Sequence, residues 1–219
     1  MPQNWTALLI SFAYVFAAIA IAEALRKWRN YPADFTRKFI HIAVGMWSYG
    51  TILLFQSRTF AIIPPAAFIA INALSYWRGT FKAMEAEEKE NLGTVYFPIS
   101  FAVLLWLLWD RPYLLVASLM PMTWGDAMAA IIGRPFGRRI YTILGSTRSL
   151  EGSTAMFGFA WVATFVALLL LAPIPPGLAA MVALVTAIGA TIAEAVSPWG
   201  TDNLTVPAVS TLILVLMLP

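Results

Sequence analysis

The chain of 219 residues is 60% hydrophobic and only 11% charged, with a mean hydropathy of +0.77. This composition excludes an ordinary soluble domain, in which about a quarter of the residues are charged, because a soluble core could not bury so much apolar surface. The chain has no cysteine, so disulfides and thiolate metal ligands are also excluded.

Successive apolar stretches of about 20 residues, the length that one bilayer crossing needs, run along the chain. The first has no basic residue before it and no small-residue cleavage site after it, which favours a membrane helix over a signal peptide. Pro64 and Pro65 lie inside the third stretch, so the sequence does not define sharply where that helix begins. We predict an all-α fold, a polytopic transmembrane helix bundle with seven to eight spans: 5–25, 39–55, 59–77, 92–109, 112–133, 153–172, 177–197 and a short 204–218.

The sequence favours a single membrane-embedded domain over residues 1–219. Residues 1–36 form its first helix and basic loop, and residues 37–219 form a core that carries the motifs. No internal repeat or long linker divides it.

Lysine and arginine are concentrated in alternate loops, and cytoplasmic loops retain the excess of positive residues. This pattern predicts that the N-terminus lies outside and that the first, third and fifth loops are cytoplasmic. The bias also explains the net charge of +3, so nucleic-acid binding is not indicated. The basic residues of these loops are Arg26, Lys27, Arg29, Arg37 and Lys38, then Arg78, Lys82 and Lys89, then Arg134, Arg138, Arg139 and Arg148.

Arg37, Lys38 and His41 lie at the cytoplasmic start of the second span. Arg37 and His41 are four residues apart and share a helix face, so they could bind an anion. Alternatively, Arg37 and Lys38 are ordinary anchors that reach the lipid headgroups. His41 is the single histidine of the chain, and one turn into an apolar helix it needs a polar partner or a water-filled cavity.

A segment of alternating acidic and basic residues, 82–90, is typical of a solvated surface helix, and it precedes the sequence Asn91-Leu-Gly-Thr-Val-Tyr-Phe-Pro98. Asn91, Gly93 and Thr94 favour a helix cap, whereas Tyr96 and Pro98 could shape a cavity wall.

Asp126 lies inside the fifth span, about seven residues or roughly 10 Å of helix rise from its cytoplasmic end. An unpaired carboxylate is costly there, so we interpret Asp126 as a metal-binding or catalytic residue, with a structural ion pair as the alternative. The loop that follows offers glycine backbone and guanidinium groups to phosphates. The glycines and arginines of this stretch are Gly125, Gly133, Arg134, Gly137, Arg138 and Arg139.

Two further polar stretches fall near the same membrane depth. Arg148 could bind a phosphate while Glu151 binds a metal, although a local salt bridge between them is the simpler interpretation. Glu194, Asp202 and Asn203 suggest a Mg²⁺ site, because that cation prefers oxygen ligands; Asp202 and Asn203 could instead cap the last helix.

Common soluble nucleotide-binding, zinc-protease and serine-hydrolase motifs are absent. The ordered motifs instead resemble the phytol kinase and dolichol kinase family over most of the chain from residue 37 onward. The motifs are Arg-Lys-x-x-His at 37 to 41, Gly-Thr-x-Tyr-Phe-Pro at 93 to 98, Gly-Asp-x-x-Ala at 125 to 129 with glycines at 133 and 137, Ser-x-Glu-Gly at 149 to 152 and Asp-Asn-x-x-x-Pro at 202 to 207.

The resemblance implies a multi-pass membrane enzyme that uses CTP and Mg²⁺ to phosphorylate a lipid alcohol of the phytol, farnesol or polyprenol type. Asp126 or His41 would accept the proton, and Asp126, Glu151 and Asp202 would bind the metal. Arg148 stands where many relatives have lysine. The residues expected to bind the nucleotide are Arg37, Lys38, Gly125, Gly133, Arg134, Gly137, Arg138, Arg139, Arg148, Ser149, Gly152 and Asn203.

Two other functions are compatible with the same residues. A cytidylyltransferase would make a CDP-lipid from CTP and a phosphorylated lipid, with the same metal and basic loops. A transporter without enzymatic activity would use Asp126, Glu194 and His41 as an ion pathway.

Overall fold

The structure is a computed structural model that describes residues 2–29, 31–78 and 92–218. These residues are mostly helical, with one short β-hairpin, which confirms the predicted all-α membrane helix bundle. The charged segment 82–90 and Asn91 lie outside the described residues. By length and composition, five helical segments can cross a membrane: Pro2–Trp28, Arg58–Arg78, Pro112–Phe136, Leu150–Leu171 and Pro176–Ala195. Gly93–Leu107 and Asp202–Met217 are shorter apolar helices.

The chain forms two compact units, Met1–Trp109 and Asp110–Pro219. The described residues of the first unit form the helices α1 (Pro2–Arg29), α2 (Ala33–Leu54), α3 (Arg58–Ala61), α4 (Ile63–Arg78) and α5 (Gly93–Leu107). The helix α1 packs against α2 and α4, and α4 packs against α5. The core of the unit is a cluster of buried apolar side chains, Val15, Ile19, Ala22, Ile40 and Phe68.

The region of Pro64 and Pro65 consists of one short helix followed by the start of a new helix. The helix α3 ends at Ala61, and α4 begins at Ile63, so both prolines lie in the first turn of α4. Proline is tolerated there because the first backbone N–H groups of a helix have no partner within it.

The elements of the second unit are α6 (Pro112–Met120), a π-helical segment (Pro121–Asp126), α7 (Ala127–Phe136), β1 (Ile140–Ile143), β2 (Ser146–Ser149), α8 (Leu150–Leu171), α9 (Pro176–Ala195) and α10 (Asp202–Met217). The helix α8 lies at the centre and contacts α6, α7, α9 and the π-helical segment, while α10 packs against α6 and α9. Leucine, methionine and valine side chains from these helices fill the interior of the unit.

A small β-hairpin between α7 and α8 is an element that the sequence analysis did not predict. Its strands pair antiparallel, with Tyr141 opposite Arg148 and Thr142 opposite Thr147. The two turn residues, Leu144 and Gly145, have φ angles of 49° and 82°. Two successive residues with positive φ form the tight turn that matches the twist of a two-stranded ribbon. The hairpin therefore fixes the direction in which the side chain of Arg148 leaves the backbone.

Candidate active site

Three carboxylates converge in the interior of the second unit. One oxygen from each of Asp126, Glu194 and Asp202 lies within 4.8 Å of the corresponding oxygens of the other two. All three residues are buried, with at most 8% of any of them exposed. Acidic residues are almost never this buried unless they are paired or bind a cation. We refer to these three residues as the carboxylate cluster.

Asp126 enters the cluster from an irregular part of its helix. It is the last residue of the π-helical segment that separates α6 from α7. A π turn widens the helix by one residue and is frequent at functional sites. Pro121 begins the segment and has no backbone N–H to donate to the preceding turn, which favours this break in the α-helical pattern.

Asp202 enters the cluster from the first turn of α10, and Asn203 orients its carboxylate. The Oδ1 atom of Asp202 accepts hydrogen bonds from the backbone N–H of Asn203 at 2.9 Å and from its side-chain Nδ2 at 2.8 Å. The same Nδ2 also donates to the carbonyl of Gly200 at 3.2 Å. Asn203 therefore orients the carboxylate of Asp202, whose other oxygen, Oδ2, accepts a hydrogen bond from Arg148.

Arg148 contacts two residues of the carboxylate cluster. Its Nε donates to Oε1 of Glu194, and its Nη2 donates to Oδ2 of Asp202 at 3.2 Å. The same Nη2 also donates to the carbonyl of Ser197 at 3.0 Å, which ties β2 to the loop between α9 and α10. Among the residues that the structure describes, none forms a hydrogen bond with Oε2 of Glu194, although this oxygen is buried. That oxygen is available to bind a cation.

Glu151, which the sequence analysis placed among the metal ligands, lies apart from the carboxylate cluster. Its Oε2 accepts hydrogen bonds from the backbone N–H groups of Arg138 at 3.0 Å and Arg139 at 3.3 Å. These bonds join the start of α8 to the loop that follows α7. Glu151 therefore shapes the arginine-bearing loop, and Glu194 takes the third position beside Asp126 and Asp202.

The glycines of the motifs lie where α7 and α8 approach each other. A Cβ atom on Gly133 would lie 3.0 Å from Cα of Gly152, and one on Gly152 would lie 3.1 Å from the carbonyl oxygen of Ala129. Ser149 caps α8, and its Oγ accepts from the N–H of Gly152 at 3.1 Å and donates to the carbonyl of Gly133 at 3.4 Å. Small residues let two membrane helices come this close.

Gly125 and Gly137 also lie against neighbouring side chains. A Cβ atom on Gly125 would meet the Met156 side chain, and one on Gly137 would meet Ser149. Arg134 lies in the last turn of α7, and Arg138 and Arg139 are exposed in the loop after it. The structure gives these glycines packing contacts, while the exposed arginines are accessible to an anion.

Replacing Gly152 with alanine should destabilise the protein by about 1–3 kcal/mol, because the backbones of α7 and α8 would have to move apart. Gly158 in the same helix is the matched control, since no atom lies within 4 Å of a Cβ built there. Gly158→Ala should be neutral or stabilising by up to about 1 kcal/mol through helix propensity. Thermal unfolding in detergent micelles measures both, and equal melting temperatures for the two variants would contradict the packing role.

The remaining predicted residues, Arg37, Lys38 and His41, lie on α2 of the first unit. Arg37 forms a salt bridge with Asp34 at 3.1 Å, and both side chains are largely buried. Lys38 is also buried, so it is not an exposed anchor. His41 is half-buried, and its ring meets Phe97 edge to face with 4.4 Å between ring centroids.

Comparisons with known proteins found similar curated sequences. The chain is 29% identical over 214 residues to the phytol kinase of Synechocystis sp., an alignment that covers 95% of this chain and 90% of the relative. It is 27% identical over 165 residues to a probable phytol kinase, chloroplastic, of Triticum aestivum, covering 69% of this chain and 54% of the relative. A probable phytol kinase 1, chloroplastic, of Oryza sativa subsp. japonica is 25% identical over 167 residues, and this alignment covers 71% of this chain and 53% of the relative.

No protein-family model matches the chain, and no solved structure matches it. The chain spans about half the length of the two chloroplastic relatives but nearly the full length of the Synechocystis protein. The alignment with the Synechocystis protein covers 95% of this chain and therefore spans the carboxylate cluster and the motifs at 93–98, 125–137, 149–152 and 202–207. The similarity to phytol kinases agrees with the resemblance noted from these motifs. By sequence, the chain is therefore similar to phytol kinases along nearly its whole length.

Proposed function

We propose that the protein transfers the terminal phosphoryl group of a nucleoside triphosphate to the hydroxyl of a membrane-embedded isoprenoid alcohol. The observation that carries this proposal is the buried carboxylate cluster in a membrane protein that is similar to phytol kinases. The alcohol is of the phytol, farnesol or polyprenol type, and the donor is CTP. The product is the lipid monophosphate.

The donor set of the cluster fits a hard divalent cation such as Mg²⁺. Asp126, Glu194 and Asp202 offer oxygen atoms alone, and Oε2 of Glu194 is buried without a hydrogen bond from any described residue. When bound, Mg²⁺ neutralises charge on the triphosphate during phosphoryl transfer. Asp126, Glu194 and Asp202 would hold it, which replaces Glu151 by Glu194 in the set proposed from the sequence.

The arginines of the hairpin and of the region where α7 ends supply positive charge for phosphate binding. Arg148 is anchored at the cluster, and Arg134, Arg138 and Arg139 surround the end of α7. A guanidinium group can bind two phosphate oxygens at once, which favours these residues as orienting groups. Arg37 and Lys38 stay proposals from the motif at 37 to 41.

The alcohol is expected to reach the site from the bilayer. Its apolar tail would lie beside the membrane helices, and its hydroxyl would lie at the cytoplasmic interface, where the arginine-rich loops are proposed to be. The proton of the hydroxyl requires an acceptor, and Asp126 and His41 are the two candidates from the sequence. Asp126 serves less well as a base when it also binds the metal, so the two roles compete at this residue.

CTP labelled separately at the α and γ phosphates tests the proposed reaction. With purified protein, Mg²⁺ and phytol, we expect the γ label to appear in the lipid product and the α label to stay in the nucleotide. Incorporation of the α label from CTP and a phosphorylated lipid would instead identify a cytidylyltransferase. No turnover with any alcohol of a panel containing phytol, farnesol and polyprenol, with CTP or ATP, would favour a transporter.

A further inference from the structure

The hydrogen bonds between the Arg148 guanidinium and other described residues are directed at two carboxylates of the cluster or at backbone carbonyls. Nε and Nη2 bind Glu194 and Asp202, Nη2 also binds the carbonyl of Ser197, and Nη1 donates to the carbonyl of Thr147 at 3.3 Å. The side chain of Arg148 is 26% exposed, compared with 3% for Glu194. The side chain of Arg148 is therefore more open to solvent than the carboxylates that it contacts.

Arg148 occupies part of the carboxylate cluster before any cation binds. Its Nε and Nη2 donate to Glu194 and Asp202, two of the three residues whose carboxylate oxygens converge. The guanidinium group of arginine is charged at any physiological pH.

A divalent cation in the cluster and the guanidinium of Arg148 would approach the same two residues. Two positive groups this close repel each other in a poorly solvated site, so each weakens the binding of the other. Phosphate oxygens offer the guanidinium an alternative partner with bidentate geometry. Movement of Arg148 from carboxylate to phosphate would remove the repulsion and would couple the two binding events.

On the basis of the proposed function, we propose that Arg148 is an internal counter-ion of the carboxylate cluster that weakens metal binding until a nucleotide phosphate draws its guanidinium away. Arg148 is thus a positioning residue with two alternative partners. The hairpin favours this exchange because β2 keeps the backbone of Arg148 in place while its side chain changes partner. The consequence is that metal and triphosphate bind cooperatively, and that metal alone binds weakly.

The test is binding of Mn²⁺ alone, without nucleotide or alcohol, measured by electron paramagnetic resonance on the full chain in detergent. Arg148→Gln should bind Mn²⁺ about tenfold or more tightly than the wild type, because a competing positive charge is gone. Arg148→Lys should stay within a few fold of the wild type. Arg111→Gln is the matched control, since Arg111 is an exposed arginine of the same unit. The Arg111→Gln protein should bind Mn²⁺ with the affinity of the wild type.

Arg148→Gln is expected to lose stability, since removing one partner of a buried ion pair is destabilising. A second measurement therefore compares melting temperatures with and without Mg²⁺. The rise in melting temperature on adding Mg²⁺ should be larger for Arg148→Gln than for the wild type. The KM for CTP should rise in Arg148→Gln and recover in Arg148→Lys, a pattern that loss of folding alone does not produce.

Equal or weaker Mn²⁺ binding by Arg148→Gln would overturn the counter-ion role while leaving the proposed kinase reaction in place. Absence of Mn²⁺ binding in both the wild type and Arg148→Gln would overturn the counter-ion role together with the metal site. Absence of γ-label transfer by the wild type, together with tighter Mn²⁺ binding by Arg148→Gln, would support the counter-ion role and contradict the proposed reaction. The failures of the two proposals are therefore distinguishable.

Discussion

Asp126→Asn should lower turnover of CTP and phytol by at least about 10³-fold, because it removes one of three charges that would neutralise a metal ion at the transferring phosphoryl group. Asparagine has nearly the shape of aspartate, so the packing at the end of the π-helical segment should be kept. The measurement is the initial rate of formation of the phosphorylated lipid with saturating Mg²⁺, together with the melting temperature of each protein.

Asp110→Asn provides the control for this experiment. Asp110 belongs to the same unit but is exposed and lies outside the carboxylate cluster, so its loss should change the rate less than twofold. Full turnover by a correctly folded Asp126→Asn protein would contradict the catalytic assignment of Asp126. It would then leave Asp126 as part of a structural ion pair, the alternative open from the sequence.

The helices could be predicted because the bilayer imposes a length on each apolar stretch. The predicted spans 112–133 and 177–197 correspond to the segments Pro112–Phe136 and Pro176–Ala195. Prolines made the boundaries less certain, because the pair at 64 and 65 permits either a kink or a new helix start. Only the folded backbone distinguishes these, and it places a helix start at Ile63.

The hairpin could not be predicted with the same ease. Strands of four residues are too short for an alternating pattern to stand out from a polar loop. Two signals were nevertheless present, the β-favouring run of Ile140, Tyr141, Thr142 and Ile143, and the Leu144-Gly145 pair at the turn. The hairpin matters for function because it carries Arg148 to the carboxylate cluster.

Which acidic residues join the carboxylate cluster depends on the rotation of each helix about its own axis. Asp126 and Asp202 could be proposed as partners from membrane depth alone, and Glu194 shares that depth. Glu151 was an equally plausible third ligand because it lies near the same interface. Depth does not determine rotation about the helix axis, and the structure turns Glu151 towards the loop of Arg138 and Arg139.

Glu194→Gln and Glu151→Gln should therefore differ in their dependence on Mg²⁺. Glu194→Gln should raise the Mg²⁺ concentration for half-maximal rate by at least about tenfold and reduce the rate by about 100-fold or more, because one anionic ligand becomes neutral. Glu151→Gln should leave the Mg²⁺ dependence unchanged. It should instead raise the KM for CTP several fold, since weaker hydrogen bonds to Arg138 and Arg139 loosen the arginine-bearing loop.

Initial rates over a Mg²⁺ titration at fixed CTP, repeated over a CTP titration at fixed Mg²⁺, separate these effects. Both substitutions remove one negative charge and keep the size of the side chain, so a general effect of charge on the protein would change both variants alike. A Mg²⁺ dependence altered in Glu151→Gln but not in Glu194→Gln would contradict the cluster and restore the metal set expected from the motifs. The expected pattern requires that Oε2 of Glu194, buried and without a hydrogen bond from the described residues, is a metal ligand.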